Sequence, residues 1–234
     1  MRKETIVENL NAVGERIVTC CNNCDRDPAE ITLLAVSKTR PAEDLRSAYT
    51  AGQRHFGENY LQEALEKQDV LSDLDIRWHF IGPLQSNKSR AVAERFQWIH
   101  TVDRLKIAQR LSSQRPDTLA PLNICLQVNI DNEQSKSGIA PQELEGLARE
   151  VVQLPGLRLR GLMAIPAARP NRQAQRKPFI ELARLLQSLR EAFPEEQLDT
   201  LSMGMSADME AAITCGATIV RIGTDIFGVR NYPE

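Results

Sequence analysis

The first repeat unit of the chain reads ITLLAVSKTRPAEDLRSAYTAG at residues 31–52. It begins with a short apolar run and continues as a helical stretch, with Pro41 suited to the start of the helix and Gly52 to its end. The run is apolar at successive positions, which indicates a strand covered on both faces, as in parallel sheets. The unit therefore predicts a strand followed by a helix that leads to a parallel neighbour.

The same alternation recurs through the rest of the 234 residues. Seven further strands are predicted: RHFGEN (54–59), RWHFIGPL (77–84), WIHTVD (98–103), LNICLQVNI (122–130), LRLRGLMAI (157–165), DTLSMGM (199–205) and TIVRIGTDIFG (218–228). An amphipathic helix at residues 6–21 precedes them. This order predicts one α/β domain over residues 1–234, a closed (β/α)8 TIM barrel with an extra N-terminal helix. An open doubly wound sheet is the alternative, although no G-x-G-x-x-G follows the first strand.

Composition predicts a cytoplasmic globular protein, with 42% hydrophobic residues, 26% charged residues and a net charge of -2. Charges of both signs are mixed along the chain, so no basic field favours nucleic acid or an anionic membrane. We therefore expect neither a signal peptide nor a membrane span, since the N-terminal residues lack the apolar run of a signal peptide and no run of about 20 apolar residues is found in the sequence. Among the five cysteines, Cys21 and Cys24 form a C-x-x-C. No second pair accompanies it, so a metal or redox role is disfavoured but open.

Lys38 follows the first predicted strand and shares a face with Leu34 and Val36. If that face points inward, the Lys38 amine lies at the mouth of the barrel, where catalytic groups of this architecture are found. Partial loss of water there favours the neutral amine, which attacks aldehydes. The alternative is a solvated lysine just beyond the end of a strand.

Arg221 lies inside the apolar run Ile219–Ile222, where a charge must be paired or is costly to bury. Closure of a barrel makes the eighth strand a neighbour of the first. Arg221 and Lys38 can then approach each other in one cavity, and two cations in one cavity imply an anionic ligand. The alternative is that Arg221 faces outward and pairs with a helix carboxylate.

Phosphate groups often bind barrels at the loops after strands seven and eight. Ser206 is predicted to cap the helix ADMEAAI (207–213), and Gly223 and Thr224 occupy the corresponding turn after strand eight. Small residues let backbone N–H groups reach a phosphate, and hydroxyls add donors. Ser206 could instead be a structural cap only, and Asp208 would repel a phosphate.

Five further residues have weaker signals. Asn59 either binds a ligand or caps the following helix. His79 is a packed structural histidine in preference to a catalytic base. Lys136 is a solvated loop lysine in preference to one that reaches the barrel mouth, and Met163 and Met203 are barrel packing that also touches the ligand.

Seven motifs, spread almost from end to end, resemble the pyridoxal phosphate homeostasis protein family. They are AVSKT (35–39), FGENY (56–60), WHFIGPLQSNK (78–88), SKSGI (135–139), GLMAIP (161–166), LSMGMSADMEAAI (201–213) and VRIGT (220–224). The segment NRQAQRKPF (171–179) is interpreted as a divergent loop.

The resemblance implies the barrel of alanine racemase and of the fold-type III decarboxylases, which bind pyridoxal 5′-phosphate (PLP). It implies that Lys38 forms a Schiff base with PLP, and that Ser206, Gly223 and Thr224 lie on the phosphate side. Arg221 matches the arginine expected near the pyridine nitrogen. An arginine there disfavours protonation of the ring, which limits carbanion chemistry.

The resemblance therefore implies a non-enzymatic protein that stores, shields and transfers PLP in cofactor homeostasis. The rival hypothesis is a small amino-acid racemase, which needs a second acid/base group. Alanine racemases take it from a tyrosine of a second domain, whereas Tyr49, Tyr60 and Tyr232 lie on or near helices and the tail, and we expect no second domain. A third hypothesis is a barrel that binds another phosphorylated metabolite. A monomer is expected, while the identity of any recipient apo-enzymes stays open.

Overall fold

The strands of this protein have three to seven residues each in a computed structural model that describes residues 2–133 and 136–229. The strands are β1 (Thr32–Val36), β2 (His55–Glu58), β3 (Arg77–Phe80), β4 (Trp98–Val102), β5 (Leu122–Gln127), β6 (Leu157–Met163), β7 (Thr200–Ser202) and β8 (Ile219–Ile222). The α-helices are α1 (Arg2–Asn22), α2 (Ala42–Thr50), α3 (Leu61–Val70), α4 (Ser89–Arg95), α5 (Leu105–Gln114), α6 (Leu144–Val151), α7 (Arg172–Ala192), α8 (Met209–Ile213) and α9 (Thr224–Phe227).

All neighbouring strands are parallel and follow the order of the sequence, and the sheet closes because β1 pairs with β8 as well as with β2. At the closing seam Leu34 lies opposite Arg221, and Ala35 lies opposite Ile222. The predicted TIM barrel is confirmed, and the open doubly wound sheet is excluded. Arg221 thus lies on the strand next to β1, and the turn with Lys38 follows β1 directly.

The predicted N-terminal helix is α1, which packs against α2, α8 and α9 on the outside of the seam. Its buried residues recur along one face at helical spacing: Ile6, Leu10, Val13, Ile17 and Cys21. Polar contacts add to this packing, because Asn9 Nδ2 donates to the Ile226 oxygen at 2.9 Å and Arg16 bonds Glu210 and Asp225. The helix therefore covers the junction of the first and last strands.

The helix after β6 begins earlier than the sequence analysis predicts. The sequence predicts a longer loop after the sixth strand and then a helix from about Lys177 to Phe193. In the structure α7 begins at Arg172, the Asn171 side chain caps it by accepting from the Ala174 N–H at 2.9 Å, and Pro178 lies inside the helix. The buried Pro178 ring packs into the core, and the local loss of one backbone donor is tolerated there.

The predicted capping role of Ser206 is wrong. A turn over Ser206, Ala207 and Asp208 precedes α8, so that Asp208 occupies the cap position. The Asp208 carboxylate accepts from the Met205 N–H at 2.6 Å, and the Asp208 N–H donates to the Met205 oxygen at 3.1 Å. Because this turn closes on itself, Ser206 is left at the barrel mouth.

None of the helices in residues 2–133 and 136–229 combines the length and the apolar character needed to cross a bilayer.

Candidate functional site

A cavity of about 270 Å³ opens at the carboxyl ends of the strands, the end at which TIM barrels place their sites. Its lining comes from both sides of the closing seam and from the facing strands: Val36, Lys38, Asn59, Ile81, Ile165, Met205, Ser206, Ala207, Arg221, Gly223 and Thr224. Six of the seven residues predicted to bind a cofactor lie together in this wall. We call it the seam cavity.

Met203 is the seventh predicted residue, and the structure does not bring it to the seam cavity. Side chains alternate along a strand, and Ser202 points into the barrel, so Met203 points outward and is fully buried in the core under the helices. Met205, two residues further along, lines the cavity and is 39% exposed. Met163 is also fully buried and is not part of the lining.

Lys38 lies in a turn that is held on both sides. On one side the Ser37 hydroxyl donates to Glu58 Oε1 at 2.6 Å. On the other side Thr39 has a left-handed backbone with φ of 63°, and its N–H donates to Glu63 Oε1 at 2.6 Å. A non-glycine residue in this region is strained and persists only where neighbouring contacts enforce it. The backbone on both sides of Lys38 is therefore held in place by its neighbours.

Behind this turn lies a buried ion pair between Glu58 and Lys67, with the two charged atoms 2.7 Å apart. Lys67 Nζ also donates to the Ser37 oxygen at 2.7 Å and to Glu63 at 2.6 Å. Burial raises the pKa of Glu58 even though Lys67 opposes the shift, and Glu58 Oε2 is buried without a hydrogen-bond partner among the described residues. The pair ties β1, β2 and α3 together directly under Lys38.

Arg221 is only 5% exposed and faces into the barrel, not outward toward a helix carboxylate. Nη1 donates to the Ser202 oxygen at 2.6 Å and to Ser202 Oγ at 2.9 Å, and Nη2 donates to the Ala164 oxygen at 2.9 Å. Burial lowers the pKa of Arg221 to about 10, so the guanidinium stays charged at neutral pH. The seam cavity therefore has a fixed cation in its wall.

One part of the seam cavity wall is built from Ser206, Gly223 and Thr224. A Cβ on Gly223 would lie 3.2 Å from the Val36 oxygen, so a larger residue at the end of β8 requires β1 to shift by a few tenths of an ångström. None of the described lining residues is acidic. Asp208, which we expect to repel a phosphate, instead bonds the Met205 N–H, and burial raises its pKa. This wall suits an anion.

A second cavity, of about 310 Å³, adjoins the first over the tips of β2 to β6. The two cavities share Asn59, Ile81 and Ile165. Lys136 lines the second cavity and forms an ion pair with Glu133 at 3.1 Å. Asn59 faces both cavities, and Tyr60, not Asn59, occupies the cap position of α3.

Sequence reasoning treated His79 as a packed histidine and missed the row of histidines behind Arg221 to which it belongs. All three histidines of the chain form a row across the barrel interior, which we call the histidine row: His55 Nδ1 lies 2.9 Å from His79 Nε2, and His79 Nδ1 lies 2.9 Å from His100 Nε2. His100 Nδ1 lies 2.7 Å from Ser202 Oγ, which also contacts Arg221. The available signal was a histidine at an inward position on each of three successive strands.

The C-x-x-C cysteines lie at the end of α1, away from the strand tips. Burial raises the pKa of the Cys20 and Cys21 thiols, which disfavours the thiolate that metal binding or redox exchange requires. Within the described part of the chain, no three histidine, cysteine or acidic side chains are grouped so that they could hold a metal ion.

Comparison with known proteins gives consistent matches. The family described as alanine racemase, N-terminal domain, matches residues 9–231. A protein of Pseudomonas aeruginosa named pyridoxal phosphate homeostasis protein is 60% identical over 228 residues, 97% of each chain. Its namesake in Escherichia coli K12 is 54% identical over 232 residues, 98% of each. The structure of PipY from Synechococcus elongatus with PLP bound superposes with a TM-score of 0.84 at 38% identity, covering 95% of this chain and all of PipY.

Proposed function

We propose a function from the premise that this chain belongs to the pyridoxal phosphate homeostasis protein family, within the wider family of the alanine racemase N-terminal domain. The protein binds PLP in the seam cavity, with the Lys38 amine as its covalent anchor, and stores and transfers the cofactor without turning over a substrate. One observation carries the proposal: Lys38, Arg221 and two hydroxyl residues share a small cavity whose described lining contains no acid.

The donor set of the seam cavity fits PLP group by group. The ligand has an aldehyde, a phosphate dianion, a pyridine nitrogen and a flat apolar ring. Lys38 supplies an amine for the aldehyde, Ser206 and Thr224 supply hydroxyls for the phosphate, and the glycine backbone at 223 permits close approach. Arg221 supplies a donor for the pyridine nitrogen, and aliphatic side chains cover the ring. A cavity of about 270 Å³ suits a small ligand of this kind.

Covalent attachment joins the Lys38 nitrogen to the aldehyde carbon as a Schiff base with loss of one water molecule, and incoming amines can reverse it. When bound, PLP supplies an electron sink whose strength depends on protonation of the pyridine nitrogen. Arg221 is charged and donor-only, so it disfavours that protonation. This arrangement supports retention of the cofactor over carbanion chemistry.

The racemase alternative lacks support from the described tyrosines. The Arg54 guanidinium lies over the Tyr49 ring, with its Cζ 3.8 Å from the ring centroid. Tyr60 is 56% exposed at the start of α3. Neither lines the seam cavity, and Tyr232 lies outside the described residues. The shared name of the close relatives, pyridoxal phosphate homeostasis protein, also favours a carrier.

The proposal extends to the assembly and location of the protein. Residues 1–234 act as one PLP-binding domain and as a monomer, because the exposed large apolar residues of the described chain come from many separate elements. The protein works in the cytoplasm, where its five unpaired cysteines stay reduced. PLP-dependent apo-enzymes receive the cofactor from it.

A PLP titration followed by visible absorbance tests the proposed function. The wild-type protein should develop the Schiff-base absorbance with one PLP per chain, and Lys38→Ala should not. Lys106→Ala is the matched control, because Lys106 is an exposed lysine of α5 outside the cavity. The proposal fails if Lys38→Ala develops the same absorbance as wild type. Exchange of an amino-acid α-proton in deuterated water above the level of free PLP would instead support the racemase.

A further inference from the structure

We infer that His100, with His79 and His55 behind it, is a positioning residue that fixes the Ser202 hydroxyl and through it the direction in which Arg221 presents its N–H groups to the ligand. The inference rests on the proposed function for the identity of that ligand. The order of the hydrogen bonds, however, is a property of the protein alone and can be measured without PLP.

The donors and acceptors along the histidine row have one order that satisfies every member. Arginine can only donate, so Ser202 Oγ accepts from Arg221 Nη1 at 2.9 Å. The Ser202 proton is then directed to His100 Nδ1 at 2.7 Å, which must accept. His100 therefore carries its proton on Nε2 and donates to His79 Nδ1, and His79 in turn donates from Nε2 to His55 Nδ1. All three imidazoles are assigned the Nε2–H form.

The three imidazoles are uncharged at neutral pH, as this order requires. Burial lowers the pKa of His100 to about 3, and the charge of Arg221 acts in the same direction. Burial also places the pKa of His79 well below its ordinary value, with the neighbouring histidines contributing. The pKa of His55 is lowered by burial and by Arg77. Each hydrogen bond between neighbouring imidazoles of the histidine row therefore contains one proton.

The geometry holds the rings in one orientation. The His79 ring stacks on Trp98 with centroids 5.4 Å apart and planes 8° from parallel. A row of polar groups inside a barrel is costly to bury unless every member is bonded, and aliphatic residues normally fill this space. Packing alone does not explain three bonded imidazoles that end on Ser202 and Arg221. Their shared effect is to hold the Ser202 lone pair toward the guanidinium.

Two substitutions of His100 separate positioning from packing. Asparagine places an amide oxygen near the position of Nδ1 and can accept from Ser202, whereas leucine fills the space and cannot. His100→Leu should weaken PLP binding roughly tenfold or more, the loss expected for a hydrogen bond to a charged group, and should shift the visible absorbance maximum. His100→Asn should stay within about threefold of wild type, because the bond to Ser202 is retained.

Two controls keep the test decisive if His100→Leu folds poorly. Ser202→Ala removes the same bond next to Arg221 and should reproduce the spectral shift. Ile107→Val loosens the buried face of α5 and should leave affinity and spectrum unchanged. If His100→Leu and His100→Asn bind PLP equally well with the wild-type spectrum, the positioning role is overturned.

Nitrogen-15 NMR of the PLP-free protein tests the hydrogen-bond order directly. Three protonated Nε2 atoms and three unprotonated Nδ1 atoms are expected for His55, His79 and His100. A protonated Nδ1 on His100 would overturn the inference even if PLP binds. Failure of PLP to bind while the Nε2–H order persists would instead refute the proposed function and leave the order of the histidine row intact.

Discussion

Mild acid should destabilise this protein through His100. The pKa of His100 falls from about 6.5 in the unfolded chain to about 3 in the folded one, because the ring is fully buried beside Arg221. Below about pH 6.5 the His100 ring therefore takes up a proton in the unfolded chain but stays neutral in the folded one. The free energy of unfolding is highest above about pH 6.5 and decreases as the pH falls from there toward about 3. At about pH 5 protonation of this histidine in the unfolded chain multiplies the equilibrium constant for unfolding by about 30. This residue alone therefore lowers the free energy of unfolding by about 2 kcal/mol. His79 acts in the same direction.

Urea unfolding followed by tryptophan fluorescence at about pH 7.5 and about pH 5 measures this loss. Comparison with His100→Asn isolates the residue, because asparagine takes up no proton in the unfolded chain. The variant should lose about 2 kcal/mol less than wild type between the two pH values. Equal losses in the two proteins would mean that His100 is not held neutral in the folded state, and the reasoning about the histidine row would be refuted.

Three further variants test the seam cavity and the ion pair behind Lys38. Glu58→Gln removes the buried charge that faces Lys67 and leaves Glu63 as the carboxylate partner of that lysine, so it should lower the free energy of unfolding by about 2 kcal/mol in urea; an unchanged midpoint would contradict the buried pair. Gly223→Ala places a Cβ 3.2 Å from a backbone oxygen of β1 and should cost about 1–3 kcal/mol by the same assay, whereas a neutral effect would show that the strands can separate. The double variant Ser206→Ala, Thr224→Ala should lower the preference for PLP over pyridoxal about tenfold in competitive titration, and an unchanged preference would place the phosphate elsewhere.

The barrel was predictable because the strand and the helix of each βα unit can be predicted from the residues of that unit alone. Runs such as LLAV and ICLQV are apolar at successive positions, which in a chain of this rhythm points to parallel strands covered on both faces. Helix boundaries were less predictable. The helix after β6 was predicted to start near Lys177, whereas its actual start depends on the cap at Asn171, and six helical residues precede Pro178.

The seam cavity was largely predictable because barrel closure alone brings Lys38 next to Arg221. The position of Met203 was predicted wrongly because Ser202 is the inward-facing residue of β7. Its hydroxyl contacts His100 on β4 and Arg221 on β8, so the next residue, Met203, faces outward. The histidine row could not be predicted from spacing, since the rings meet only through the register of β2, β3 and β4. That register places Gly57 opposite His79, and His79 opposite Trp98.

Reduction of the PLP-loaded protein with sodium borohydride, followed by peptide mass mapping, tests the central claim most directly. The account predicts one pyridoxyl-phosphate adduct, on the peptide that contains Lys38. An unmodified Lys38 with the label on another lysine, or label spread over surface lysines as with any exposed amine, would contradict it.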